Sequence, residues 1–431
     1  MTLPAPAAVP VLLAAAGAAW EAAAVERLDR RSSGTALRRR CVDLPDLIAA
    51  SRTGLSRVAV VSAGLPGLDA DAVATLRGAG VEVVAVLDAS DADVGARLAR
   101  LGVTHRLPDD LEGLEDAVRA AARGPAPEGD ATTSAPVEPD GAVAGQPAPA
   151  DGRLVAVWGP AGAPGRTTVA VAVAAELAHR GVPTLLVDAD PYGGAVAQHL
   201  GVLEEVSGLL AAARAANTGR LDSAALAQLC RSVDGGPRLL TGLPRADRWV
   251  EVRPAAFEEL LGQARRLADR VVVDVGFSLE EDGDPYAPAP RRNGMTLDTL
   301  ERADELVVVG SADPVGLARL ARGLVEVAER CPEVPTVVVV NRSRPSLGWA
   351  EREVRGMVEG FHRHARVCFV PEDRETADRA VMTGRSLVEL GESPLRAAVA
   401  ALVDTLVGTA PGGGPTTRAG RLRRRRAGRA R

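Results

Sequence analysis

Short apolar runs alternate with segments whose apolar residues recur at helical spacing along most of this chain. In the first 123 residues the pattern predicts strands at Val9–Leu13, Arg40–Asp43, Val58–Ser62, Val81–Leu87 and near Thr104–Leu107. Helices are predicted between and after them at Trp20–Leu28, Leu47–Ser51, Ala70–Arg77, Val94–Leu101 and Leu114–Ala122. From Arg153 to Gly408 the predicted strands are Leu154–Val157, Leu185–Asp190, Arg238–Gly242, Val271–Asp274, Leu306–Gly310, Val337–Val340 and Val367–Val370. The helices predicted there include a segment opening at Arg166, Tyr192–Leu200, Ser207–Ala216, Leu221–Cys230, Phe257–Ala268, Pro314–Glu329, Glu375–Met382 and Leu395–Leu406. Buried strands with intervening helices imply an α/β fold, with a mostly parallel, doubly wound sheet across residues 153–408. A smaller (βα)5 unit spans residues 1–123. Residues 124–152, rich in Pro, Gly, Ala and acids, read as an extended linker, and residues 409–431 as an Arg-rich disordered tail.

Composition sharpens this picture at three points. A length of 431 residues suggests two to three domains, and with aromatics at only 2% the cores must rest on Ala, Val and Leu. The four cysteines are far apart and form no CxxC pair, so disulfide and zinc frameworks have no support and a reduced cytoplasm fits. No apolar run is long enough to span a bilayer, and Met1–Ala24 lacks the basic start of a signal peptide and carries Glu21. Every one of the 51 basic residues is an arginine. Eight of them fall in Arg418–Arg431 without an acid, although the net charge is −5, so an acidic body ends in a basic tail.

The chemistry concentrates after the strand Leu154–Val157. A turn, Gly159–Gly165, leads into Arg166-Thr167-Thr168 and a helix. Strand, glycine turn and helix start form a phosphate cradle, with backbone N–H groups aimed at an anion and a hydroxyl left for Mg²⁺. Against the strict P-loop pattern, Pro160 stands at the first Gly and Arg166 at the Lys. Two later strands end in carboxylates, Asp188 and Asp190 on one and Asp274 on the other. Acids at the C-terminal ends of parallel strands beside such a loop are placed to hold Mg²⁺ and water. A polar, Pro-rich loop, Ser278–Asn293, follows the third carboxylate, where a loop could sense a terminal phosphate.

Five segments carry a resemblance to the MinD/ParA superfamily of deviant Walker ATPases. They are GAPGRTTVAVAVAAELAHRGVPTLLVDADPYGGAVAQHLG, VVVDVG, ADELVVVGSADPVGLARLARGL, VVVVNRSR and VPEDRETADRAVMTGRSLVEL. The front unit resembles a response-regulator receiver at VVSAGLPGLDADAVATLRGAGVEVVAVLD, which makes the whole similar to the CpaE/TadZ branch and its actinobacterial septum-site-determining relatives. The resemblance implies a P-loop fold that binds ATP with Mg²⁺. It implies that Gly162, Ala163, Pro164, Gly165 and Arg166 cradle phosphate, that Thr167 ligates the metal and that Thr168 reaches the α-phosphate. Asp190 would position the hydrolytic water with Asp188 in support, Asp274 would hold the metal through water, and Asn341 would meet the adenine edge.

The chain departs from the family at two lysines. The signature Lys is Ala161 here and the P-loop Lys is Arg166, while Ala163 replaces a Gly. A guanidinium fork does not seat like an ammonium between phosphates. Loss of one such contact typically costs about 10²–10³ in rate, so binding should outlast turnover. The receiver chemistry is missing too: Ser62 stands at the phosphoacceptor and Ala14-Ala15 at the acidic pair, which implies a docking or dimerising module.

The function expected is therefore a MinD/ParA/CpaE-like spatial regulator, acting in septum-site or pilus localisation, that binds ATP and ADP and hydrolyses slowly. It is expected to be a cytoplasmic homodimer, peripheral at the inner membrane face or cell pole. A protein partner would meet the receiver-like unit, and the tail suits an anionic membrane surface or nucleic acid. A nucleotide-free scaffold and a DNA-partitioning ATPase are the alternatives. His179, His199, His362 and His364 show no metal-binding spacing, and His362 and His364 read as surface residues.

Overall fold

The computed structural model describes residues 8–30, 32–88, 92–123, 152–202, 206–281 and 290–407. The predicted linker up to residue 151, the basic tail and residues 282–289 of the polar loop lie outside these. The first sheet contains β1 (Val9–Ala14), β2 (Thr35–Arg40), β3 (Val58–Ser62), β4 (Glu82–Leu87) and β5 (His105–Pro108), in the spatial order β2-β1-β3-β4-β5. All its pairs are parallel, and apolar clusters cover both faces. The second strand falls five residues ahead of its predicted start. Its sequence, TALRRR, lies at a sheet edge with its three arginines exposed, so no apolar run announces it.

The second sheet holds β6 (Arg153–Trp158), β7 (Thr184–Ala189), β8 (Arg231–Ser232), β9 (Arg238–Leu240), β10 (Arg270–Val275), β11 (Glu305–Ser311), β12 (Thr336–Ser343) and β13 (Arg366–Pro371). The order is β13-β12-β11-β6-β10-β7-β9-β8, parallel throughout except for the β8–β9 pair. Val, Leu and Ala dominate both of its buried faces, as the near absence of aromatics requires. Strands after β6 first build to one side of it, and from β11 onward to the other. The chain therefore switches direction beside the C-terminal end of β6, where doubly wound sheets open a crevice.

Two local readings are corrected. The predicted helix Tyr192–Leu200 shrinks to Val196–His199, because the preceding turn wraps the Asp188 carboxylate, which accepts from the Val196 N–H at 3.1 Å. His362 is buried, not a surface residue, and burial lowers its pKa. Among the described residues no helix is long and apolar enough to cross a membrane.

The two sheets are joined by polar contacts at the end of helix Gly208–Asn217. Arg97 donates to the Thr218 carbonyl at 3.0 Å, and to Ala63 and Leu68 carbonyls on its own side at 3.2 and 2.7 Å. Arg100 donates to the Gly219 carbonyl at 2.7 Å. Cations at a helix C-terminus satisfy its last carbonyls and its dipole together. Asn217 donates to Asp69 at 3.1 Å, and Arg253 pairs with Asp71 at 3.0 Å. A cavity of about 520 Å³ beside this seam is lined by Ser62, Gly64, Asp88, Arg97, Thr218 and Arg220, among others.

Burial at the seam pushes the Asp71 carboxyl up to about 6, with Asp69 adding to it and Arg253 opposing. A carboxyl that binds its proton more tightly when folded contributes most at low pH, and that contribution fades as pH rises through about 6. This group's contribution should therefore fall between about pH 4 and pH 6, and Asp71→Asn should flatten part of that slope in scanning calorimetry. An identical slope in both proteins would count against this origin.

Candidate phosphate loop and acid cluster

The loop 159–165 leaves β6 at the switch point, and helix Arg166–His179 begins directly after it. Gly162 and Gly165 take φ of 109° and 98°, values that L side chains rarely adopt. A Cβ on Gly165 would also stand 2.4 Å from Asn341 Nδ2. Ala163 is held at φ 52° and Arg342 at φ 58°, a left-handed conformation that costs non-glycine residues about 1–3 kcal/mol each. The two strained residues touch, since Arg342 Nη2 donates to the Ala163 carbonyl at 3.0 Å.

Side chains from three elements hold the loop's carbonyls. Arg166 Nη1 donates to Gly159 O at 2.9 Å, Arg319 Nη1 to Ala161 O at 3.3 Å and Asn341 Nδ2 to Pro164 O at 2.7 Å. Pro160 and Pro164 have no N–H to offer an anion, whereas Gly162 and Gly165 each have one. The first helical N–H groups, on Arg166, Thr167 and Thr168, have no intrahelical acceptor and complete the set.

The strand register places the acids. Asp274 of β10 lies opposite Val157 of β6 on one side and Asp188 of β7 on the other. Neighbours in a parallel row share a face, so Asp188 and Asp274 stand together, both almost fully buried. Asp188 accepts from the Asp190 N–H at 3.4 Å as well as from Val196. Gly194 and Gly242 pack so closely on its carboxylate that a Cβ at either would overlap it. Asp190 falls one residue beyond β7 and accepts from the Tyr192 N–H at 2.9 Å. Thr167 Oγ1 donates to Asp274 Oδ2 at 2.6 Å, and Asp274 Oδ1 is buried without a partner.

Charge in the cluster is out of balance. Arg166 Nη2 lies 3.4 Å from Asp190, and its Nε is buried and unpartnered. Burial pushes Asp188 up to about 7, aided by Asp190 and opposed by the backbone N–H groups. Asp274 is raised well above the usual carboxylate range by burial and by Asp188, against the pull of Thr167 and Arg166. Three carboxylates therefore face one guanidinium.

A cation is the simplest complement to that cluster. Hard oxygens suit Mg²⁺, which keeps several waters and takes few protein ligands. The orphaned Asp274 Oδ1 and the Thr167 hydroxyl fit such an ion. Among the described residues no group of three or more His, Cys, Asp or Glu could hold a metal by itself.

A network that the sequence did not announce ties the loops together. Tyr192 OH donates to Asn293 Oδ1 at 2.7 Å, and Asn293 Nδ2 donates to Ser278 Oγ at 3.2 Å and to Glu280 O at 2.9 Å. The Tyr192 and Phe277 rings lie 4.7 Å apart, and Trp158 Nε1 donates to the Phe277 carbonyl at 3.2 Å. The segment after Asp274 is thus latched to the segment after Asp190. Thr296, fully buried with an unpartnered hydroxyl, flanks Gly276 on the same side as Asp190 Oδ1. Beside the helix start, a cavity of about 240 Å³ runs to the ends of β12 and β13, lined by Gly165, Thr168, Asn341, Arg342 and Asp373, among others.

The structure brings together Gly162 to Thr168, Asp188, Asp190 and Asp274, and joins Asn341 to them through Pro164. Asn341 also accepts from the Arg342 N–H at 2.9 Å, so its amide is engaged on the loop while lining the cavity.

No family model matches the sequence, and no curated protein is similar to it at a significant level. Similar solved structures include a ParA family ATPase from Chlorobium tepidum, at 18% identity and a TM-score of 0.48, covering 58% of this chain and 98% of that one. The cell division ATPase MinD from Pyrococcus furiosus is similar at 18% identity and 0.48, covering 60% and 100%. The septum site-determining protein MinD from Pyrococcus horikoshii, complexed with Mg-ADP, is similar at 17% and 0.46, covering 59% and 97%. None reaches an identity or a superposition that carries function across.

Asp274→Asn keeps an acceptor for Thr167 and removes a charge beside Asp188. In the absence of divalent cations it should raise stability at neutral pH by about 1 kcal/mol. Denaturant unfolding with excess chelator checks this; a less stable variant would mean that the carboxylate is already compensated.

Proposed function

We propose that this chain is a MinD/ParA-like nucleotide switch that binds ATP with Mg²⁺ and turns it over slowly. The observation that carries the reading is the Thr167 hydroxyl set against Asp274, whose second oxygen is buried and unpartnered, directly after the glycine loop. Bound Mg²⁺ would supply charge compensation for the phosphates and for the acids. Thr167 and Asp274 would hold it, and the N–H groups of Gly162, Gly165, Arg166, Thr167 and Thr168 would bind phosphate oxygens. The cavity beside Asn341 and Arg342 would take the base.

Slow turnover is part of the proposal. Asp190 would orient the attacking water, yet one of its oxygens is engaged by Arg166 and the other by the Tyr192 N–H. Water activation therefore requires Arg166 to leave Asp190. The Tyr192–Asn293–Ser278 latch would report the state of the site, since it joins the segments that follow two of the acids. The smaller unit would serve as a pseudo-receiver docking module. The protein would act as a homodimer in the cytoplasm at a membrane face, pole or septum, with the basic tail on an anionic surface.

One observation favours a second reading, a nucleotide-free scaffold. Arg166 already spans the loop between Gly159 O and Asp190. The readings separate in one experiment. Ligand at about a hundred times its Kd adds about 2.7 kcal/mol, so Mg-ATP should raise the melting temperature by several degrees. Unchanged melting in millimolar Mg-ATP and Mg-ADP would leave the scaffold.

A further inference from the structure

The loop carries no charge at Ala161 and spends the guanidinium of Arg166 on Gly159 and Asp190. Neither position offers a free cation to an incoming polyanion. A third residue lies at that place. Arg319, from helix Pro314–Arg330, sits over Gly162 so closely that a Cβ there would stand 2.0 Å from its Nη1.

Arg319 has the features of a charge held in reserve. Its one hydrogen bond, to Ala161 O, is long at 3.3 Å, the residue is exposed, and no carboxylate pairs with it among the described residues. An exposed contact of that kind is cheap to break. Its backbone, by contrast, is fixed. Asp313 caps the helix by accepting from the Val315 and Gly316 N–H groups at 3.1 and 2.9 Å, and Leu320 is fully buried against Gly310. A fixed helix thus presents to the loop an exposed guanidinium with no carboxylate partner among the described residues, the arrangement that suits a charge required only when ligand is bound.

We propose that Arg319 supplies, from within the same chain, the cation that meets the terminal phosphate of a bound nucleoside triphosphate. This rests on the nucleotide reading above and adds what that reading lacked, a charge for the phosphate farthest from the helix start. It also gives Gly162 a second role, since any side chain there would displace the guanidinium.

The opposing account is a purely structural clamp on the Ala161 carbonyl. A clamp shapes the loop for every phosphate alike, whereas a terminal-phosphate contact discriminates ATP from ADP. Titration calorimetry on the full chain, with Mg-ATP and Mg-ADP, compares the unaltered protein with Arg319→Ala. The charge-assisted contact predicts at least about a tenfold loss of ATP affinity, with ADP affinity held within about twofold. Ligand-free melting should be unchanged, and the loss should be the same in dilute and concentrated protein. Equal losses for both nucleotides, no loss at all, or a loss confined to concentrated protein would overturn the role of Arg319 and leave nucleotide binding standing. Unaltered protein that binds neither nucleotide would overturn the underlying reading instead.

Discussion

Two carboxylates buried side by side in the middle of a parallel sheet are the constraint on which this site depends. Asp188 and Asp274 share a row because β7 and β10 pair in that register, and neither reaches solvent. Apolar substitutes would cost the fold less. Their cost is offset in part by hydrogen bonds from the Asp190 and Val196 N–H groups and the Thr167 hydroxyl, and by raised pKa values that favour the neutral forms. The neighbouring contacts follow: glycines packed against Asp188, a hydroxyl on Asp274, and a guanidinium drawn across toward Asp190.

The all-arginine composition shapes how this is done. A planar fork donates readily to carbonyls, and three arginines donate to the carbonyls of Gly159, Ala161 and Ala163. Three peptide units of the loop are thereby fixed in orientation by cations. The same region holds two non-glycine residues in left-handed conformations, Ala163 and Arg342.

Much of this could be read from the residues in order. Apolar runs marked most strands, and acids closing two of them sit at the ends of adjacent strands, because parallel strands in doubly wound sheets aim the same way. What escaped was non-local or unsupported by periodicity. Arg319 and Arg342 come from different elements and meet the loop only in three dimensions. Tyr192 and Asn293 are a hundred residues apart in effect, linked by a single 2.7 Å bond. Strand β2 hid behind its arginines, and His362 went below the surface because the turn after helix Glu351–Phe361 folds it inward.

Trp158 closes β6 immediately under the loop, is almost wholly buried, and hands its indole N–H to the carbonyl of Phe277. In a chain with four tryptophans, this one spans the gap between the cradle and the segment beyond Asp274. Its emission is sensitive to its surroundings, that carbonyl dipole among them. With the other three tryptophans replaced, this ring becomes an optical gauge of the contact between the loop strand and the segment after Asp274.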